Sequence, residues 1–223
     1  MVIITTVSSE NATAESLISK WATSEDCARA KLRQNNSRRQ DSLLARAALR
    51  ALLAHVTGVD DWRINVGING KPHVLTPTGI AGPYISLSHT QGLVACAVSE
   101  TSSIGVDVEY WRTRDFMALA DYAYGPGERE EVARDGMSAF YRIWTLREAM
   151  AKAMGVGVMK TFNGQDCIVS AKIPASDCWI MDGWKLFYKR LQKSYSLAVA
   201  LTNAEDNWSE KSVTWVDVTI MLK

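Results

Sequence analysis

From Ile104 to Glu109 the chain reads Ile-Gly-Val-Asp-Val-Glu, apolar at every even position. A period of two marks a β-strand, and a strand here turns Ile104, Val106 and Val108 to one face and Asp107 and Glu109 to the other. The α-carbons of the two acids then lie ~6.5 Å apart, so both carboxylates can lean onto one hard divalent cation. A half-solvated surface strand shows the same alternation, and a metal site needs a third ligand.

Further groups that bear on such a site follow in chain order. A first strand is expected over residues 2–7. Asn11 or Thr13 caps a short helix through Trp21, and Ser24, with Glu25 and Asp26 in the first turn, starts a second through about Arg33. Leu43, Leu44, Ala47, Ala48, Ala51 and Leu52 then recur at helical spacing, and Gly58 ends the pattern. On this helix Arg39, Arg46 and Arg50 occupy a side other than that of the leucines. Such a basic stripe suits phosphate, and a solvated helix face would look the same.

Asn69-Gly70 is a hairpin signal between strands expected at 64–68 and 73–75, which holds Lys71 at the exit of a tight turn with Pro72 fixing the backbone after it. Residues 84–87 and 93–98 read as strands, the second nearly all apolar and so buried. Ser88-His89-Thr90-Gln91-Gly92 is read as the turn between them, placing His89 at a loop tip. Residues 111–136 hold short helices at most. A helix follows over 138–154, stopped by Gly155 and Gly157, on which Trp144, Glu148 and Lys152 share one face. Stretches 166–172, 179–190 and 195–201 look like antiparallel strands, with one more in the tail.

The order of a long helix followed by a buried strand occurs twice, about a hundred residues apart. That echo supports an α+β chain of two similar halves, 1–103 and 104–223, with a site in the crevice between them. A formal net charge of +1 over 223 residues excludes a wholesale basic surface, so nucleic acid is not an expected partner. Cys27, Cys96, Cys167 and Cys178 are scattered with no CxxC, as in a reducing compartment, and no apolar run approaches a membrane span. A cytoplasmic monomer is the expectation.

Four motifs in order, Gly70-Lys71-Pro72, Leu87-Ser88-His89-Thr90, Gly105-Val106-Asp107-Val108-Glu109, and Trp144-Thr145-Leu146-Arg147-Glu148-Ala149 with Lys152 and Gly155, resemble those of the Sfp-type 4′-phosphopantetheinyl transferases. The resemblance runs from about Arg38 to Gly157 and implies the fold of that family, two pseudo-symmetric halves that each pack an antiparallel sheet with a long helix. It implies transfer of the phosphopantetheine arm of coenzyme A to a serine of an apo acyl or peptidyl carrier protein, releasing 3′,5′-ADP. It also implies Mg2+ held by Asp107, Glu109 and Glu148, and coenzyme A contacts from Arg38, Arg46, Lys71, Pro72, Ser88 and His89. Lys152 matches the family lysine near the reacting phosphate. Arg147 stands where lysine is common, which keeps the charge and alters the reach.

Several negative charges of a pyrophosphate repel three carboxylates unless a cation lies between, which makes Mg2+ the natural bridge. A serine hydroxyl is a poor nucleophile at neutral pH, and Glu148, on an element separate from the other two acids, is the expected base. The carrier is expected near 111–131, where Phe116, Met117 and Tyr122 accompany Arg112 and Arg114. A coenzyme A or nucleotide binding module without activity, and a Mg2+-dependent pyrophosphohydrolase, are the competing readings.

Overall fold

The apolar pattern after Asn36 becomes the helix α3 (Asn36–Thr57), the longest in the chain. Asn35 caps it by accepting a hydrogen bond from the Ser37 amide at 2.8 Å, and Gly58 ends it in the left-handed conformation at φ 70°. Its buried residues include Leu44, Ala45, Ala48, Leu49 and Leu52, and each leucine hidden in this way contributes about 1.5–3 kcal/mol against exposure. The computed structural model describes all residues except 1, 11, 33–34, 68, 158–163, 168–176, 193, 203–207 and 223. The fold class is α+β.

The described chain forms two units. The first, Met1–Thr101 with Ser212–Lys223, contains β1 (Val2–Ser8), α1 (Ala12–Trp21), α2 (Ser24–Lys31), α3, the hairpin β2 (Arg63–Val66) and β3 (Pro72–Leu75), β4 (Tyr84–Thr90), β5 (Leu93–Ser99) and β10 (Val213–Trp215). Its main sheet runs β10-β1-β5-β4. β5 is buried along its whole length, as its apolar run predicts. The second unit, Ser102–Lys211, contains β6 (Ile104–Tyr110), α4 (Phe116–Ala123), α5 (Pro126–Asp135), α6 (Met137–Met154), β7 (Cys178–Met181), β8 (Trp184–Leu191) and β9 (Tyr195–Thr202). Its sheet is antiparallel, in the order β6-β9-β8-β7.

Each unit repeats one plan: a strand, a long helix, then a hairpin whose last strand pairs with the first. In the first unit β5 returns beside β1, and in the second β9 returns beside β6.

Three differences from the sequence reading have physical reasons. The tail strand β10 leaves the second half and lies parallel to β1, Val2 opposite Val213, so 212–223 belong to the first unit. Thr5 Oγ1 donates to the Val216 carbonyl at 2.8 Å and Met221 is buried, which fixes this return. His89 stands inside β4 opposite Val94, half-buried, because Gly92 adopts φ 78° and closes a two-residue Gln91-Gly92 turn. β2 runs only Arg63–Val66, with Val66 opposite Pro72; the Gly70 amide donates to the Gly67 carbonyl at 2.9 Å and the Gly67 amide to the Lys71 carbonyl at 3.0 Å, so Lys71 does follow a tight turn while the first strand is shorter than expected. Most of the strand expected at 166–172 lies outside the described residues. Among those described, no helix is long and apolar enough to cross a membrane, and none of the four cysteines is in a disulfide.

Candidate functional site

Asp107 and Glu109 lie where β6 packs under α6. Gly105 permits the approach: a Cβ there would collide with the Ala149 carbonyl and crowd the Ala153 amide. Ser103 Oγ donates to the Ala153 carbonyl at 2.6 Å, tying the entry of the strand to the end of the helix. Ile104, Val106 and Val108 of β6 are buried, as the alternation predicts. The odd face is covered as well, so Asp107 is only 4% exposed and Glu109 is half-buried.

Two side chains of α6 reach this face. Lys152 Nζ donates to Asp107 Oδ1 at 2.7 Å, and Trp144 Nε1 donates to Glu109 Oε1 at 3.1 Å. Glu148 lies one helical turn before Lys152. Burial and then the Asp107 charge push the Glu109 carboxyl up to about 7, against the opposing pull of Trp144, Lys152 and Arg114. Burial and Asp107 also raise Glu148, and Lys152 opposes them. Three carboxyls therefore share one electrostatic neighbourhood with the Lys152 ammonium among them.

Among the described residues no three His, Cys, Asp or Glu side chains are gathered so as to hold a metal ion. The donors fit one in kind: all are carboxylates, the ligands a hard divalent cation takes, and the Asp107 charge, which after burial raises Glu109, is one such an ion would offset. Asp107, Glu109 and Glu148 are the residues that would hold it.

The other expected residues have separate settings in the first unit. Arg38 is exposed at the start of α3. Lys71 is half-buried and its ammonium is pushed down by that burial, Pro72 and His89 are half-buried, and Ser88 is buried. Arg46 is not on a phosphate-binding stripe. It is buried, with Nε on Asp26 Oδ1 and Nη2 toward the Ile64 carbonyl at 3.4 Å. Arg50 shares the same acid, with Nε on Asp26 Oδ2 at 2.8 Å, so two members of the expected stripe form an internal ion cluster. Burial alone would raise Asp26, and the hydrogen bonds of Arg46, Arg50 and Thr23 outweigh it and hold the carboxyl at about 2.

Arg147 is likewise interior, 2% exposed. Its guanidinium bonds Glu128 and the carbonyls of Ala123 and Gln165 and lies 4.8 Å from the centroid of the Tyr124 ring. It acts as a staple of α5 and α6. Sequence reasoning missed that role, and it missed Trp111 and Tyr141 beside the acid row. The signal for Trp111 was present, since positions 105, 107, 109 and 111 continue a single strand face.

Residues 103–200, which hold the acids and Lys152, match the 4′-phosphopantetheinyl transferase superfamily. The chain is thus similar to that superfamily over the part that carries the acids. It is 33% identical over 144 residues to the 4′-phosphopantetheinyl transferase HetI of Nostoc sp., covering 61% of each chain. It is 30% identical over 117 residues to the 4′-phosphopantetheinyl transferase AcpT of Salmonella typhi, covering 50% of this chain and 59% of the relative. To AcpT of Escherichia coli O157:H7 it is 27% identical over 173 residues, covering 75% of this chain and 80% of the relative. The chain thus spans about three fifths of the length of the Nostoc and Salmonella relatives. Asp107, Glu109, Glu148 and Lys152 fall inside the superfamily match, whereas Arg38, Arg46, Lys71, Pro72, Ser88 and His89 precede it.

Proposed function

We propose that the chain is a member of this superfamily and transfers the 4′-phosphopantetheine arm of coenzyme A to a serine hydroxyl of an apo acyl or peptidyl carrier protein, with 3′,5′-ADP as the second product. The observation that carries the reading is the joining of β6 and α6 through Lys152 and Asp107 at 2.7 Å, with Glu109 and Glu148 in the same electrostatic field.

Asp107, Glu109 and Glu148 would hold a Mg2+ ion, which when bound neutralises the diphosphate of coenzyme A and the charge that develops on the departing phosphate. The residues of the chain do the rest. Glu148 takes the proton of the serine hydroxyl as its oxygen forms a bond to the phosphorus bearing the pantetheine arm. Its raised affinity for a proton suits it to that task. The bond from that phosphorus to the bridging oxygen breaks, and 3′,5′-ADP leaves with the electron pair. Lys152, already the cation of the acid group, stabilises the charge on the transferring phosphate. Trp144 keeps the Glu109 carboxylate in place.

Arg38, Lys71, Pro72, Ser88 and His89 are proposed to contribute to coenzyme A binding on the strength of the motifs they belong to; Arg46, committed to Asp26, is not. The reading includes action as a monomer in the cytoplasm, where the four thiols stay reduced. The test is intact-mass analysis of a panel of apo carriers incubated with the protein, coenzyme A and Mg2+. A phosphopantetheine adduct on the serine supports the transferase, free phosphopantetheine indicates hydrolysis instead, and an unchanged mixture across the panel sinks the proposal.

A further inference from the structure

The hairpin that carries Lys71 stands apart from both four-stranded sheets. Among the described residues β2 and β3 form a two-stranded sheet of their own. Two strands alone are marginal in water, so the place of the hairpin depends on what grips it from outside. Burial of Ile64 and Val74 holds its face to the core without fixing how far it lies along α3, because apolar contact has no direction. On the β3 side directional bonds come from the chain just beyond it. The Gly82 amide donates to the Val74 carbonyl at 2.9 Å, and Leu75 bridges to Ala81.

On the β2 side the directional bonds come from side chains of α3. Arg50 Nη1 donates to the Trp62 carbonyl at 2.7 Å, and Arg46 Nη2 to the Ile64 carbonyl at 3.4 Å. Each guanidinium gives its Nε to Asp26, one to each carboxylate oxygen, so a single buried acid orients both forks. Asp26 is in turn fixed by the capping box of α2, where it accepts from the Thr23 amide at 3.2 Å and the Thr23 hydroxyl at 2.8 Å.

The spacings of helix and strand match. Arg46 and Arg50 are one turn apart, about 6 Å of rise, and carbonyls two residues apart on a strand point the same way about 6.6 Å apart. Pairing 46 with 64 and 50 with 62 runs the strand antiparallel to the helix, so each step along β2 climbs toward the first turns of α3. One more step reaches Val66, opposite Pro72, and the turn that delivers Lys71 follows at the end of α3 where Arg38 stands. Two cations assigned above to coenzyme A thus come to the same end of one helix.

We infer that Asp26, Arg46 and Arg50 are positioning residues for coenzyme A: they set how far the β2–β3 hairpin lies along α3 and so place Lys71 against the phosphates. The inference rests on the coenzyme A contacts of the reading above. It gives the buried Arg46 an effect on coenzyme A without contact.

The test measures coenzyme A binding to the full chain by isothermal titration calorimetry, beside transfer to apo acyl carrier protein. Arg50→Lys keeps a charge on Asp26 and lacks the second arm that reaches Trp62. It should weaken coenzyme A binding about tenfold, the scale on which a side chain that orients a binding group is felt, while kcat and the carrier KM stay within about twofold. Arg46→Lys should behave in the same way. Ile3→Val, a smaller side chain in the core of the same unit, should lower the Tm and leave coenzyme A binding unchanged, which separates positioning from lost stability. In a Lys71→Ala background Arg50→Lys should add less than about twofold, because both changes act through one hairpin. Equal coenzyme A binding in the wild type and both lysine variants overturns the inference, and so does a loss that is undiminished in the Lys71→Ala background. If the wild type binds coenzyme A and modifies no carrier while Arg50→Lys binds it weakly, the positioning stands and the transferase reading falls. If the wild type does not bind coenzyme A, both fall.

Discussion

Lys152 Nζ lies 2.7 Å from Asp107 Oδ1 and links the last turns of α6 to the middle of β6. One ammonium thus serves a group of three carboxyls, and burial followed by the Asp107 charge still raises Glu109. Asp107→Asn keeps the shape and removes one charge. Transfer should fall at least about a hundredfold, the loss typical of removing a group that positions charge at a reacting centre, with near-ultraviolet circular dichroism unchanged. Carbon-detected NMR titration should show the Glu109 carboxyl moving down from about 7, because Asp107 is the largest charge cause after burial. Wild-type turnover in this variant with saturating Mg2+ removes Asp107 from the site.

The Glu109 shift fixes a pH dependence. Its carboxyl binds a proton more tightly when folded, at about 7 against the ordinary 4.5, so its contribution is complete below pH 4.5 and is lost as pH rises through about 7. In the presence of a chelator, the Tm of the second unit should therefore fall from pH 4.5 to 7 and level off above. Added Mg2+ should flatten that decline, and a melting curve equally steep with and without the ion would contradict the metal assignment.

Trp144→Phe preserves an aromatic ring 6.3 Å from Phe140 and removes the N–H that Glu109 accepts. A hydrogen bond to a charged group contributes about 1.5–3 kcal/mol to stability, so the thermal midpoint should fall by a few degrees, and turnover should drop about tenfold as Glu109 loses its fixed position. An equal turnover would show that Glu109 needs no such support.

In the first unit, Asp26→Ala leaves the buried Arg46 without its acid partner and should cost about 3–5 kcal/mol in urea unfolding. The wild-type pair also has a pH signature. With the folded carboxyl at about 2 and its ordinary value at 3.8, the pair contributes about 2 kcal/mol above pH 3.8 that disappears as pH falls through about 2. Unfolding free energies that stay level from pH 5 to 2 would contradict this.

Gly105→Ala should separate β6 from α6, since the added methyl meets the Ala149 carbonyl. The expected destabilisation is about 1–3 kcal/mol by denaturant, accompanied by loss of transfer.

The sequence made the local elements legible and left the distant partners hidden. Strand 104–110 and the helices α3 and α6 follow from period and from glycine stops at 58 and 155, because hydrophobic spacing and caps are properties of neighbouring residues. Arg46 was misread because the acid that claims it is 20 residues away on another helix, and a basic stripe looks the same whether it faces water or a buried carboxylate. The interior role of Arg147 stayed hidden for the same reason, its acid lying 19 residues upstream on α5. His89 was placed in a turn because five polar or small residues in a row conceal how little chain a glycine at φ 78° needs to reverse direction.

The pairing of β1 with β10 has a consequence for how the polypeptide is assembled. A hydroxyl at Thr5 waits for a carbonyl 211 positions downstream, so the first sheet to leave the ribosome is the later one to be completed, while β6 through β9 find all their neighbours within about a hundred residues. Contacts so distant along the chain form slowly, and a nascent amino-terminal portion must pass the interval with one flank of β1 open to other chains.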